Sequence, residues 1–246
     1  MLNHETVSRL KELRLFGMVS ALESQRQQTE AQALPFEDRL GLLIDTEITL
    51  RETKKCARLL ARAKLKGPSA CIENIDYDPK RGLDRPLLLT LANCHWVEVG
   101  QNLIITGATG SGKSWLACAY GNRLCRSGVS VRYFRVSRLL EQITIAQGDG
   151  SLPRLRAQLS KVSVLILDDW LLSPISAASA REFLELIDDR IGKSSIILTS
   201  QYPVDSWHDR IKEPTVADAI LDRIIHVSHR IVITGGSMRK RKGLGN

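Results

Sequence analysis

Gly107-Ala108-Thr109-Gly110-Ser111-Gly112-Lys113-Ser114 is the stretch that decides the fold, because it matches the pattern G-x-x-x-x-G-K-[ST]. An apolar strand-like run, LIIT, precedes it, and a helical stretch, WLACAYGNRL, follows it. In such a loop the backbone N–H groups and the positive end of the helix surround phosphate oxygens. Lys113 then reaches the β- and γ-phosphates, and the Ser114 hydroxyl ligates magnesium. The motif therefore predicts ATP and Mg²⁺ as cofactors, and a chance glycine-rich turn is the alternative.

The pattern around this loop predicts an α/β fold. Strand-like runs alternate with helical patterns, which is typical of a parallel sheet flanked by helices. The candidate strands are Asn102 to Thr106, Ser130 to Phe134, Val162 to Leu167 and Ser195 to Thr199. Before the sheet, apolar residues from Met1 to about Leu65 recur at helical spacing, with a break expected near Pro35.

Turn signals divide the chain into domains. Gly67-Pro68, Asp78-Pro79, Gly82 and Arg85-Pro86 predict a connecting segment. We therefore expect a small all-α N-terminal domain over residues 1–66, a linker over 67–91 and a P-loop domain over 92–246.

Composition limits the classes of protein that this chain can belong to. Its 246 residues suffice for one α/β domain and a small appendage. The five cysteines show no C-x-x-C pair, and no apolar run approaches the length of a membrane span. These features predict a reduced, cytoplasmic protein without a membrane partner. The 35 Lys and Arg against 27 Asp and Glu, a formal charge of +8, permit a polyanionic partner.

Two carboxylates follow the third candidate strand. The run Val164-Leu165-Ile166-Leu167-Asp168-Asp169 has the form of a Walker B segment. Asp168 is expected to hold the magnesium ion, directly or through water. Asp169 takes the position where many such ATPases use a glutamate to orient the attacking water. The shorter side chain leaves the rate of hydrolysis open, and an acidic turn after an ordinary strand is the alternative.

Two further polar sites complete the predicted ATPase. Ser200 and Gln201 follow the fourth candidate strand, where ligands of open α/β sheets gather, and either is a candidate sensor of the γ-phosphate. Arg223, next to Asp222 in an amphipathic helical stretch, is a candidate finger that reaches the nucleotide of a neighbouring subunit. A solvated strand end and a surface charge pair are the respective alternatives.

Positive charge recurs on one side of the long N-terminal helical stretch, where spacings of three and four predict a basic stripe that contacts a phosphate backbone. Its members are Arg51, Lys54, Lys55, Arg58 and Arg62. A second candidate DNA-facing group lies between the second and third strands and comprises Arg154, Arg156 and Lys161. A solvated helix face is the alternative for the stripe.

The motifs GATGSGKSW, VLILDDW, ILTSQYP, AILDRIIH and GGSMRK occur in the order found in the IstB-type transposition helper ATPases, which this chain resembles over nearly its whole length. That family is similar to the DnaC helicase loader and the DnaA initiator. The resemblance implies a AAA+ fold without a full C-terminal lid and ATP-dependent homo-oligomers on double-stranded DNA. It also implies recruitment of a cognate transposase, with ATP hydrolysis controlling release.

Carried over position by position, the resemblance assigns nucleotide binding to Gly107 through Ser114, with Trp115 beside them, and catalysis to Lys113 and the Asp168-Asp169 pair. It assigns sensing to Ser200 or Gln201, the trans-acting finger to Arg223, and a second nucleotide contact to Arg239.

Three other functions remain open from the sequence. A DnaC-like helicase loader would share every ATPase motif and differ in what its N-terminal domain binds. A monomeric P-loop kinase would share the P-loop alone and have no use for Arg223. A nucleotide-binding scaffold that does not hydrolyse ATP is compatible with aspartate at position 169.

Overall fold

The computed structural model describes residues 2–238, with the backbone alone at positions 2, 3, 29 and 32. The chain divides into two compact units, residues 1–58 and residues 59–246.

The described residues of the first unit form helices joined by short non-helical segments. Its helices are α1 (Leu2–Glu12), α2 (Phe16–Gln27), α3 (Thr29–Gln32) and α4 (Phe36–Ala63), the last of which continues into the second unit. Pro35 lies directly before α4, where its missing N–H costs no helical hydrogen bond, so the predicted break is confirmed.

A buried carboxylate joins α2 to α4. Glu47 accepts hydrogen bonds from the backbone N–H groups of Gly17, at 2.6 Å, and Met18, at 3.2 Å, which lie in the first turn of α2. Such N–H groups have no partner within their own helix, and the helix dipole favours a negative charge beside them. A Cβ at Gly17 would lie 2.6 Å from Glu47 Cα, so the two helices approach closely only because position 17 is glycine.

We expect Glu47→Gln to loosen this contact, because a neutral amide is a weaker acceptor than a carboxylate. The amide protons of Gly17 and Met18, followed by NMR, should exchange with solvent at least about tenfold faster in the variant. Burial alone would raise the pKa of Glu47, but hydrogen bonds from Arg51, Gly17 and Met18 lower it below 4.5. Because the folded-state pKa is the lower one, wild type should lose the same protection as the pH falls through that value.

Glu52→Gln is the matched control, since Glu52 is an exposed glutamate of the same helix. Equal exchange rates in all three proteins would show that Glu47 does not hold the start of α2.

The second unit is built on a five-stranded parallel sheet in the order β2-β3-β4-β1-β5. The strands are β1 (Asn102–Gly107), β2 (Val131–Arg135), β3 (Val164–Trp170), β4 (Ser195–Ser200) and β5 (Ser228–Ile233). Its helices are α5 (Arg85–Leu91), α6 (His95–Glu98), α7 (Lys113–Arg126), α8 (Val136–Gly148), α9 (Leu152–Ser160), α10 (Ala177–Asp188) and α11 (Pro214–Ile225). The predicted parallel α/β sheet and its four strands are confirmed, and β5 is an addition.

Both faces of the sheet are covered, as the continuous apolar strands predict. In β1, Leu103 and Ile105 pack in one core, which includes α7, while Ile104 packs in the other, which includes residues of α8, α10 and α11. Adjacent strand residues point to opposite faces, so one short run supplies both cores.

The segment over residues 67–91 differs from the predicted linker. The observed division lies between Arg58 and Leu59, and residues 67–91 belong to the second unit. Ala70, Ile72, Leu88 and Leu91 of this segment are buried in the core that contains α7. The turn signals are real, since Gly82 has a φ of 61°, but the apolar residues between the turns attach the segment to the sheet domain.

Candidate functional site

The P-loop connects β1 to α7. Gly107 allows β1 to approach β5, because a Cβ at this position would lie 2.4 Å from the carbonyl oxygen of Ile233. Gly112, at a φ of 101°, turns the chain into α7. Lys113 is buried, and its Nζ donates to the carbonyl oxygen of Ala108 at 2.9 Å, across the mouth of the loop. The strand, loop and helix predicted around this motif are all present.

Asp168 lies at the centre of a hydrogen-bond network below the P-loop. Its carboxylate accepts from Ser114 Oγ at 2.6 Å, from Thr199 Oγ1 at 2.6 Å and from Tyr133 Oη at 2.5 Å, and Lys66 Nζ lies 3.6 Å away. Burial alone would raise the pKa of Asp168, but the three hydroxyl donors and the charge of Lys66 lower it below its ordinary value. Asp168 is therefore a buried carboxylate that stays ionised.

The predicted magnesium ligands, Ser114 and Asp168, lie in direct contact. A hydroxyl and a carboxylate are oxygen donors of the type that Mg²⁺ prefers, usually beside phosphate oxygens and water. The same carboxylate raises the pKa of Tyr133, together with the larger effect of burial, so that phenol stays protonated and donates. The donor set thus fits the ion that the sequence predicts.

Asp169 has an unusual backbone conformation. Its φ is 62°, in the left-handed region that a non-glycine residue rarely adopts, and it lies at an irregularity in the register of β3 against β4. Its backbone N–H donates to Thr199 Oγ1 at 3.2 Å, and its Oδ2 lies 3.0 Å from Arg135 Nε. The two consecutive carboxylates differ in position, because Asp168 is fully buried whereas Asp169 lines the cavity described below.

The end of β4 separates the two candidate sensors. Ser200 is fully buried, and its hydroxyl donates to the carbonyl oxygen of Trp170 at 3.0 Å. Gln201 lies beside the P-loop, where its Oε1 accepts from Thr109 Oγ1 at 2.5 Å. Of the two candidates, Gln201 is the one that contacts the P-loop and lines the cavity described below.

A cavity of about 840 Å³ borders the P-loop, Asp169 and Gln201, and the fully buried Asp168 is not among the residues that line it. Thr109, Gly110, Gly112, Lys113, Ser114 and Trp115 line one side of it, and Asp169, Arg135 and Gln201 line another. The segment over residues 66–81 supplies a further wall that includes Lys66 and Arg81. This volume is typical of small-molecule sites and accommodates a nucleotide.

Residues 8–245 match the sequence profile of the family described as IstB-like ATP binding protein. The chain belongs to this family. It is 43% identical over 242 residues, covering 98% of each chain, to y4pL, an insertion-sequence ATP-binding protein of Sinorhizobium fredii. It is 49% identical to the ATP-binding protein of insertion sequence IS1162 of Pseudomonas fluorescens, covering 82% of this chain and 88% of that one. The resemblance read from the motifs is confirmed.

Solved structures confirm the predicted AAA+ fold. AMPPCP-bound DnaA from Aquifex aeolicus shares a TM-score of 0.58 at 20% identity, covering 70% of this chain and 51% of that chain. The DnaC helicase loader shares a TM-score of 0.54 at 22% identity, covering 67% and 97%. At these identities the likeness concerns the fold alone.

Arg223 is not among the residues that line the cavity beside the P-loop. It belongs to α11, where it forms an ion pair with Asp188 of α10 and donates to the carbonyl oxygen of Ala219. Both charged side chains are partly exposed. Arg239, the second predicted nucleotide contact, lies outside the described residues.

The residues predicted to contact DNA lie on or near the surface, and some of them already contact other side chains. The stripe residues Arg51, Lys54, Lys55, Arg58 and Arg62 all lie on α4 and are exposed. Arg51 pairs with Glu47, and Lys54 lies over the Phe16 ring. Arg154 and Lys161 are exposed, whereas Arg156 pairs with Glu182 at 3.1 Å and Glu185 at 3.5 Å.

Residues that the sequence did not single out complete the site. Tyr133 and Thr199 donate to Asp168, Arg135 pairs with Asp169, and Lys66 and Arg81 line the cavity. The signal for Thr199 and Arg135 was their position near a strand's carboxyl end. No local pattern marks Lys66 or Arg81.

None of the helices in residues 2–238 combines the length and the apolarity that a bilayer crossing requires.

Proposed function

We propose that this chain is an ATP-dependent, DNA-binding transposition helper that assembles on target duplex DNA, deforms it and recruits a partner transposase, with ATP hydrolysis controlling disassembly. The observation that carries the proposal is the similarity to an insertion-sequence ATP-binding protein along 98% of both chains. The site geometry supports the ATPase part of the proposal, and surface charge supports the DNA part.

For nucleotide binding, the P-loop amides, Lys113 and Trp115 supply contacts to ATP. Ser114 and Asp168 would hold Mg²⁺, which supplies charge neutralisation at the phosphate chain when it is bound. Gln201 would respond to the terminal phosphate, and its hydrogen bond with Thr109 of the loop supports this role.

For hydrolysis, Asp169 is the residue that orients and deprotonates the attacking water. Its carboxylate faces the cavity and is held by Arg135, so its position is fixed before the substrate arrives. A positive φ at a non-glycine residue costs about 1 kcal/mol or more, and such strain is concentrated at functional sites.

For assembly, Arg223 is the residue that would reach the nucleotide bound to a neighbouring subunit. It does not reach the cavity of its own subunit, and it lies in a partly exposed ion pair that another carboxylate or a phosphate can replace. An arginine supplied in trans makes hydrolysis depend on assembly. The exposed residues Lys55, Arg58 and Arg62 of α4 provide positive charge for duplex phosphates, without sequence preference.

The proposal is tested by the mass of the assemblies in solution. Light scattering after size-exclusion chromatography is measured on wild type, Lys113→Ala and Arg223→Ala, each with a random-sequence duplex and with ATP or ADP. We expect wild type to form large DNA-bound assemblies with ATP only. Lys113→Ala should stay small. In a phosphate-release assay on the same samples, Arg223→Ala should hydrolyse ATP more than about a hundredfold more slowly than wild type.

Lys193→Ala is the control for the loss of a lysine charge elsewhere in the chain, because Lys193 is exposed and far from the P-loop in sequence. If every sample stays monomeric and off DNA, the helper function is wrong and a small-molecule kinase becomes the better hypothesis. Capture of a replicative helicase instead of a transposase would favour the helicase-loader alternative.

A further inference from the structure

A buried arginine lies against the P-loop. Arg81 ends a single helical turn, Pro79–Arg81, and only 6% of its surface is exposed. The Arg81 carbonyl oxygen accepts from the Thr234 N–H, directly after β5, at 2.9 Å. The turn is therefore fixed to the edge of the sheet, and the side chain points into the nucleotide cavity that it lines.

The guanidinium has more donors than protein acceptors. Nη1 donates to the Asp76 carbonyl oxygen at 2.5 Å, and Nη2 donates to the Ser111 carbonyl oxygen of the P-loop at 3.2 Å. Nε is buried and has no hydrogen-bond partner among the described residues. Both acceptors are neutral carbonyl groups of the backbone.

A buried cation of this kind is costly unless an anion accompanies it. Arg81 lies at the loop that holds phosphate: a Cβ at Gly112 would be 3.1 Å from its Nη2. The anion that uses this cavity is the phosphate chain of a nucleotide, and guanidinium groups bind phosphate through paired N–H donors.

We propose that Arg81 is a further nucleotide-binding residue, which donates to a phosphate oxygen of the bound nucleotide while its bond to Ser111 supports the P-loop. The inference rests on the proposed nucleotide site. Arg81, from the segment before the sheet, would be a third positively charged residue at the nucleotide, beside Lys113 and the predicted Arg239.

The test measures ligand affinity without hydrolysis. The dissociation constants of ADP and of inorganic tripolyphosphate, which lacks the base and sugar, are measured by calorimetry on wild type, Arg81→Met and Arg81→Lys. We expect Arg81→Met to weaken both ligands by the same factor, about tenfold or more, and Arg81→Lys to recover part of the loss. Arg85→Met, which removes an exposed arginine of the same segment, should bind both ligands as wild type does.

Urea unfolding of the ligand-free proteins distinguishes a direct contact between Arg81 and phosphate from a role of Arg81 in stabilising the fold. If Arg81→Lys binds as poorly as Arg81→Met, and both unfold at lower urea, Arg81 only supports the fold and the inference is overturned. Unchanged tripolyphosphate affinity in Arg81→Met also overturns it. Failure of wild type to bind any nucleotide would instead remove the proposed function itself.

Discussion

Asp168→Asn is expected to lower the rate of ATP hydrolysis by about a thousandfold, while ADP still binds in the absence of magnesium. The substitution keeps the shape of the side chain and removes the charge at the centre of the network formed with Ser114, Thr199 and Tyr133. A neutral amide is a poor ligand for Mg²⁺. Phosphate release with saturating ATP and duplex DNA gives the rate, and calorimetry with a chelator gives the ADP affinity.

Asp205→Asn is the control, because Asp205 is exposed and lies outside the cavity. A rate within a few-fold of wild type in Asp168→Asn would mean that another carboxylate holds the ion, and Asp169 would be the next candidate. Loss of ADP binding without magnesium would mean that Asp168 shapes the P-loop rather than the metal site.

Local sequence was sufficient to predict the part of the site that is contiguous in the chain. The P-loop needs its glycines, Lys113 and Ser114 in one fixed order, and the strand and helix on either side were visible as apolar patterns. Ser114 and Asp168 were each predicted as magnesium ligands, one from the P-loop pattern and the other from the Walker B pattern. In the structure Ser114 Oγ and Asp168 Oδ1 lie 2.6 Å apart, and their role as magnesium ligands stays a prediction.

The parts that were missed depend on contacts distant in sequence. Arg81 meets Ser111 across 30 residues, and Tyr133 meets Asp168 across 35. Nothing adjacent to an arginine or a tyrosine reports such a contact. The sequence likewise did not show that Ser200 is buried against Trp170 whereas Gln201, directly after β4, contacts the P-loop.

Strand β5 was not among the candidate strands, although its sequence carries a strand pattern. Ile231 and Ile233 are buried on either side of the exposed Val232, which is the alternation of a half-covered strand. Its position directly after α11, paired in parallel with β1, completes a β-α-β unit. The linker predicted over residues 67–91 rests on its turn signals, and in the structure apolar residues between those turns are buried in the core that contains α7.

Arg190→Met is expected to lower the free energy of unfolding of the second unit by about 4 kcal/mol. Arg190 is 1% exposed and donates to four carbonyl oxygens, those of Leu159, Val162, Ser163 and Ser195. Burial lowers its pKa to about 10, so it remains a cation at neutral pH. Methionine fills similar space but leaves buried carbonyl groups without this donor. Urea unfolding followed by the fluorescence of Trp170 and Trp207, both in the core, gives the change.

Arg181→Met is the matched control, because Arg181 forms its two hydrogen bonds to Glu213 at the surface and should contribute little. Arg190 joins the end of α9 to the starts of β3 and β4, whereas Asp168 and Gln201 lie at their carboxyl ends. We therefore expect ADP to raise the unfolding midpoint of the variant as much as that of wild type, since a ligand stabilises according to its affinity for the folded state. A smaller rise would show that the alignment of β3 and β4 at their starts controls the geometry of the nucleotide site at their ends.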